Sequence, residues 1–142
     1  MQLSNEIKIR KVAAGAVSAG TEVISSVVDM AGYEGVLFFC TIATANAGNY
    51  LKVQQDTAVG MGSAADIAGS KVVAAANASV VWIDIYKPTE RYLTANIIRA
   101  GANTATGDIY AIQYEGKVKP ELNLVTNTII GELSISPDEG TA

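Results

Sequence analysis

The sequence predicts an all-β fold, a β-sandwich or jelly-roll-like barrel of about eight strands with little helix. Short alternating apolar runs recur along the chain with Gly, Asn and Pro between them, the spacing of strands and turns. No stretch repeats its apolar residues at helical spacing for three turns. Thirteen glycines supply tight connections, and no fixed internal period signals a solenoid.

Taken in order, Gln2–Val12 alternates weakly, with Ile7 and Ile9 set against Glu6, Lys8 and Arg10, as in an edge strand or an arm. Lys8, Arg10 and Lys11 there either guard an exposed edge against wrong pairing or dock an acidic partner. Ala13–Gly20 is small and glycine-punctuated, a flexible connection or an irregular strand. Thr21–Met30 alternates, with Val23 and Val27 on one face, Ile24 and Val28 on the other, and serines on both. After a turn at Ala31–Glu34, Gly35–Ile42 runs continuously apolar. That pattern predicts a central strand covered on both faces, by a second sheet and a loop or by a neighbouring subunit. Ala43–Asn49 is a turn-rich link, and Tyr50–Asp56 a half-exposed strand with Leu51 and Val53 inward. Thr57–Asn77 is irregular, with room for one helical turn from Ser63 to Gly69. Its glycines lack the Gly-Lys-Ser/Thr that would complete a phosphate loop.

The chain centres on Val80–Arg99. Two alternating runs flank Lys87–Arg91, where Pro88 fixes φ, so an antiparallel hairpin is expected. The register that pairs Ile85 with Leu93, Ile83 with Ala95 and Val81 with Ile97 gathers the aliphatic side chains on one face. The other face then carries Tyr86 and Tyr92, Asp84 and Thr94, Trp82 and Asn96. Ala100–Gly107 is a polar link, and Asp108–Tyr114 alternates, with Ile109 and Ala111 opposed to Tyr110, Ile112 and Tyr114. Strand-like pieces follow at Leu122–Val125, Thr128–Ile130 and Leu133–Ile135, with breaks at Pro120 and Pro137. The expected organisation is an N-terminal arm or edge segment over residues 1–20, one β-domain over 21–136 and a short acidic tail over 137–142.

A chain of 142 residues is long enough to bury a core without disulfides or metal. Its charged fraction is 17%, below the roughly 25% usual for soluble domains. Part of the surface is therefore expected to be covered by copies or partners; a monomer with a small-residue polar surface is the alternative. A net charge of −4 argues against nucleic-acid binding, which needs clustered Lys and Arg. The single cysteine, Cys40, falls in an apolar run, where a small buried thiol is expected and no intramolecular disulfide is available. The first residues lack the apolar core of a signal peptide, and Gly35–Ile42 is too short to span a bilayer, so synthesis in a cytosol and no membrane partner are expected.

Histidine is absent, which removes the commonest general base, the hydrolytic triads and most zinc sites together. Asp56, Asp66 and Asp108 stand apart, without the spacing of a calcium loop. Asp84 and Glu90 remain as a carboxylate pair for glycosidase-type chemistry, yet Asp84 has Arg91 or Arg99 as an ordinary ion-pair partner. No enzyme, no cofactor and no metal site is expected. Trp82, Tyr86 and Tyr92 beside Lys87 and Arg91 resemble part of a single-strand nucleic-acid platform. A cross-strand aromatic pair at an interface explains them more simply, and a sugar platform anchored by Asp84 is a third reading.

Four stretches, Asp29–Phe38 (DMAGYEGVLF), Leu51–Gln55 (LKVQQ), Asp84–Leu93 (DIYKPTERYL) and Ser136–Ala142 (SPDEGTA), resemble small structural proteins of tailed bacteriophages and prophages. The resemblance runs from about Thr21 to the C-terminus, and none of its motifs is catalytic. It implies a virion structural protein, best matched by a capsid decoration or cement protein. Such a protein binds the outside of the expanded head as a homo-oligomer, often a trimer, with the major capsid protein as partner. A tail, neck or head-fibre component and a carbohydrate-binding β-module are the alternatives. The residues expected at the interface are Lys8, Arg10, Lys11, Trp82, Tyr86, Arg91 and Tyr92.

Overall fold

The computed structural model, which describes residues 2–123, 128–135 and 138–141, is an all-β sandwich. A 3-10 turn at Leu3–Asn5 precedes β1 (Ile7–Ala13), β2 (Ala16–Ala19), β3 (Val23–Ile24), β4 (Val28–Asp29), β5 (Gly35–Ile42) and β6 (Asn46–Asp56). Then come β7 (Ala65–Asp66), β8 (Val72–Ala74), β9 (Ser79–Tyr86), β10 (Tyr92–Arg99), β11 (Thr104–Thr106) and β12 (Ile109–Tyr114). The count exceeds the expected eight because several pieces are only two or three residues long.

In the first sheet β5 is central, as its apolar run predicts. β12 and β11 pair along one side of it and β9 along the whole of the other, while β1 and β2 flank β12 and β11. The second sheet has β10 and β6 at its centre, with β3 and β4 on β10 and β7 and β8 on β6. The core lies between the two sheets. Val36, Phe38, Cys40, Ile42, Val81, Ile83, Ile109 and Ala111 come from the first, and Leu51, Val53, Leu93, Ala95 and Ile97 from the second. Each set alternates along its strand, so the period-2 pattern selects the buried face.

The hairpin expected at Val80–Arg99 does not form. β9 pairs with β5 and β10 pairs with β6, so Lys87–Arg91 is an arch that carries the chain from one sheet to the other. The aliphatic sorting survives, but its two halves meet across the sandwich instead of side by side in one sheet. Burial drives this: stacked sheets about 10 Å apart cover both aliphatic rows at once. Lys87 turns the corner at φ 52° and donates its N–H to Glu34 O, and Gln55 holds Thr89 and the Glu90 amide at the far end. Tyr86 and Tyr92 consequently lie in different sheets, and Thr94 and Asn96 are buried instead of exposed.

The serines of Thr21–Met30 break its strand into β3 and β4. Ser25 exchanges bonds with Ala95 in the second sheet, while the Ser26 amide and hydroxyl both donate to Val12 O in the first, closing this side of the sandwich. Ser63–Gly69 forms no helical turn: Ala65–Asp66 pairs with β6 instead, and the Asp56 carboxylate accepts the Ala58 and Ser63 amides that shape the loop. Gly69 does take the left-handed conformation, at φ 78°. Leu122, Asn123, Thr128–Ile130 and Leu133–Ile135 are irregular, whereas Leu124, Val125 and Pro137, with part of the acidic tail, lie outside the described residues.

Candidate functional site

The two outer faces of the sandwich differ in chemistry. Outside the second sheet, Lys52 pairs with Asp66 at 2.9 Å, Gln54 bonds Asp66, and Asn96 donates to both Gln54 and Glu22. These contacts make that part of the surface polar, while Ile24, Tyr50, Ile98 and Val73 share the same face.

Outside the first sheet, register builds three ranks of mostly apolar side chains across β1, β12, β5 and β9. Lys11, Tyr110, Phe39 and Trp82 form one; Ile9, Ile112, Leu37 and Asp84 the next; Ile7, Tyr114, Gly35 and Tyr86 the third. Residues paired across neighbouring strands share a face, and four strands at about 4.8 Å spacing make this surface about 14 Å across. Phe39 stacks on Tyr110 with ring centroids 5.3 Å apart, and Tyr86 lies parallel to Tyr114 at 6.4 Å. Gly35 sits beneath the Tyr114 ring, where a Cβ would overlap the ring carbons. Tyr114 donates to Asp84 Oδ1 at 2.7 Å, and Tyr86 donates to Glu115. Burial and the Asp84 bond both raise the Tyr114 pKa, so the phenol stays protonated as donor. Val80, Trp82 and Tyr86 on β9 remain 62%, 60% and 54% exposed. The outer side chains Leu37 and Phe39 of β5 are only half-buried, so the cover expected on both faces of Gly35–Ile42 is incomplete on this one.

The expected interface residues divide over this frame. Trp82 and Tyr86 lie on the exposed rim of the aromatic face. Tyr92 is on the second sheet, half-buried, with the Arg91 guanidinium 5.1 Å from its ring centre. Arg91 is engaged by Asp29, and Asp84 by Tyr114, so neither Arg91 nor Arg99 is the partner of Asp84. Lys8 pairs with Glu121 at 3.4 Å and Lys11 with Asp108 at 3.0 Å, while Arg10 is half-buried opposite Ala111. β1 is thus a strand of the sheet, with two of its cations paired inside the chain. Sequence reasoning left out Leu37, Phe39, Tyr110, Ile112 and Tyr114, whose signal was the second apolar face on β5 and β12.

A short C-terminal segment fastens to the far margin of the same sheet. The Asn123 side chain accepts the Ile9 amide and donates to Ser4 O and Ile7 O, occupying edge positions of β1 much as a neighbouring strand would. Glu121 accepts the Tyr33 hydroxyl, and a groove of about 510 Å³ lies between Ile9, Tyr110, Leu122, Ile130 and Leu133. Among the described residues no group of three or more His, Cys, Asp or Glu is placed to hold a metal, and no helix is long and apolar enough to cross a membrane.

No family model and no curated protein matches the chain. Solved structures do. The PBSX exported protein XepA is similar over 96% of this chain and 46% of its own, with a TM-score of 0.52 and 15% identity. The SPBc2 prophage-derived protein YomS is similar over 76% of this chain and 92% of its own, with a TM-score of 0.48 and 10% identity. A structure of Bacillus endospore appendages, described as a family of disulfide-linked pili, is similar over 77% of this chain and 88% of its own, with a TM-score of 0.46 and 20% identity. At these identities the likeness is one of fold.

Proposed function

We propose that the chain is a non-enzymatic virion structural protein of a tailed phage or prophage, and that it decorates the outside of the capsid as a homo-oligomer, with a trimer as the favoured form. The observation that carries this reading is the first sheet's outer face, with its ranks of Ile, Leu, Phe, Tyr and Trp and its stacked rings, against the Lys52–Asp66–Gln54–Asn96 polar network outside the second. A contiguous apolar surface of this kind, half-buried over β1, β12 and β5 and exposed along β9, marks a contact with another macromolecule. In the decoration reading the aromatic face meets the major capsid protein, and repeated modest contacts, multiplied by valency, hold the layer on. The sequence resemblance to phage structural proteins agrees with it.

The test is co-sedimentation of purified protein with expanded phage heads that lack it, over a range of salt. Saturable binding is expected, with heads then resisting heat or osmotic shock. Trp82→Ala together with Phe39→Ser should release the protein from heads without unfolding it. Absence of binding by folded protein moves the role to a tail, neck or fibre component. A glycan-array signal lost on Trp82→Ala moves it to sugar binding.

A further inference from the structure

β9 is an edge strand. Its eight residues pair with β5 on one side, and among the described residues no backbone hydrogen bond is made by its other side. Long open edges template the addition of another strand, and proteins usually blunt them with charge, Pro or a bulge. β9 carries only Asp84 as a charge, and that carboxylate is taken up by Tyr114.

A second stretch has the opposite need. Ile130–Ile135 reads as a strand, with Leu133 and Ile135 on one face and Ile130, Glu132 and Ser134 on the other, yet it belongs to no sheet and every residue in it is exposed. It follows Asn123, which is held on β1, the opposite margin of the first sheet from β9.

Charge matches the two. After Lys119 the chain contains no Lys or Arg, while Glu132, Asp138 and Glu139 make this end acidic. At the end of β9, Lys87 is exposed and lies over the Tyr86 ring at 5.3 Å, and among the described residues it has no carboxylate partner. We infer that residues 130–135 of one copy add as a strand to the open edge of β9 in a second copy. Leu133 and Ile135 then extend the inner row of Val81, Ile83 and Ile85, Ile130 packs beside Val80 and Trp82, and the acidic end lies near Lys87. Main-chain bonds supply affinity and the alternating side chains supply register. The contact is between copies of this chain, so it is tested in purified protein without heads, and its outcome is separate from that of head binding.

The Val80→Cys and Ile130→Cys variants are purified separately, mixed and oxidised; Cys40 is buried and does not compete. The expected product is a disulfide between the two different variants, formed in excess over either symmetric product. A predominant Val80→Cys self-product means that two β9 edges pair with each other and overturns the inference. So does a doubly substituted chain that closes on itself at monomer mass, or the absence of cross-linking in variants shown to be folded. Independently, Leu133→Asp, at a position exposed in the single chain, and Lys87→Glu should each lower the mass seen by light scattering at fixed concentration. An unchanged mass overturns the contact.

Discussion

Arg91 and Asp29 form a two-point ion pair, Nε to Oδ1 at 2.8 Å and Nη2 to Oδ2 at 2.8 Å, that ties the end of the Lys87–Arg91 arch to β4. The planar fork fixes orientation as well as distance. It holds the chain where β10 enters the second sheet, between β4 and β6.

The pair predicts an acid-side pH dependence. The Arg91 hydrogen bond chiefly holds the Asp29 carboxyl at about 2, below its ordinary 3.8. A depressed folded-state pKa adds stability that is complete above the unfolded value and lost as pH falls through the folded one. Stability should therefore decline between about pH 4 and pH 2, and Asp29→Asn should flatten that part of the curve in acid denaturation followed by circular dichroism. The effect should be modest, since the pair is half-exposed to solvent.

Arg99 is a buried cation, 4% exposed, that donates to the carbonyls of Val17, Thr21 and Thr104 and to the Thr21 hydroxyl. It joins β2, the start of β3 and β11 at one end of the sandwich. Arg99→Met should cost about 3 kcal/mol, because several carbonyls lose a charged donor at once. Urea denaturation measures this, and a loss below about 0.5 kcal/mol, the range of ordinary surface changes, contradicts it.

Gly35→Ala should displace the Tyr114 ring, with which the new methyl group overlaps. Overpacking of this kind costs about 1–3 kcal/mol. Loss of the Tyr114–Asp84 bond and of the Tyr86 stack should accompany it, visible as a change in near-ultraviolet circular dichroism. Tyr114→Ala in the same chain should restore much of the stability.

Cys40 should be inert. It is buried on β5, and burial pushes its thiol pKa up to about 12. A thiol reagent at neutral pH should find no reactive group in the native protein and one per chain in denaturant. Cys40 being its one cysteine, the folded chain offers no accessible thiol.

Much of the fold is legible residue by residue. The alternation of Leu51 and Val53, of Val81 and Ile83, and of Ile109 and Ala111 identifies buried faces from the chain alone. The unbroken Gly35–Ile42 run marks the central strand. The aromatic surface was half legible: Trp82 and Tyr86 stand out as exposed rings on an alternating strand. Phe39, Tyr110 and Tyr114 join them only through pairing of β12, β5 and β9, which are far apart in sequence. The cations of β1 likewise read as an available cluster until folding brings up Glu121 and Asp108, about a hundred residues away.

By itself the sequence determined the fold class, the strand faces and the absence of histidine chemistry, because period and composition are properties of the chain. Only the tertiary structure decided which strands are neighbours. Val80–Arg99 has the local pattern of a hairpin, and an arch satisfies that pattern equally well, since alternation specifies the face a residue presents and not the strand beside it. The choice fell to packing: with β9 and β10 in opposite sheets, both aliphatic rows are buried against each other, Arg91 reaches Asp29, and one edge of β9 is left open.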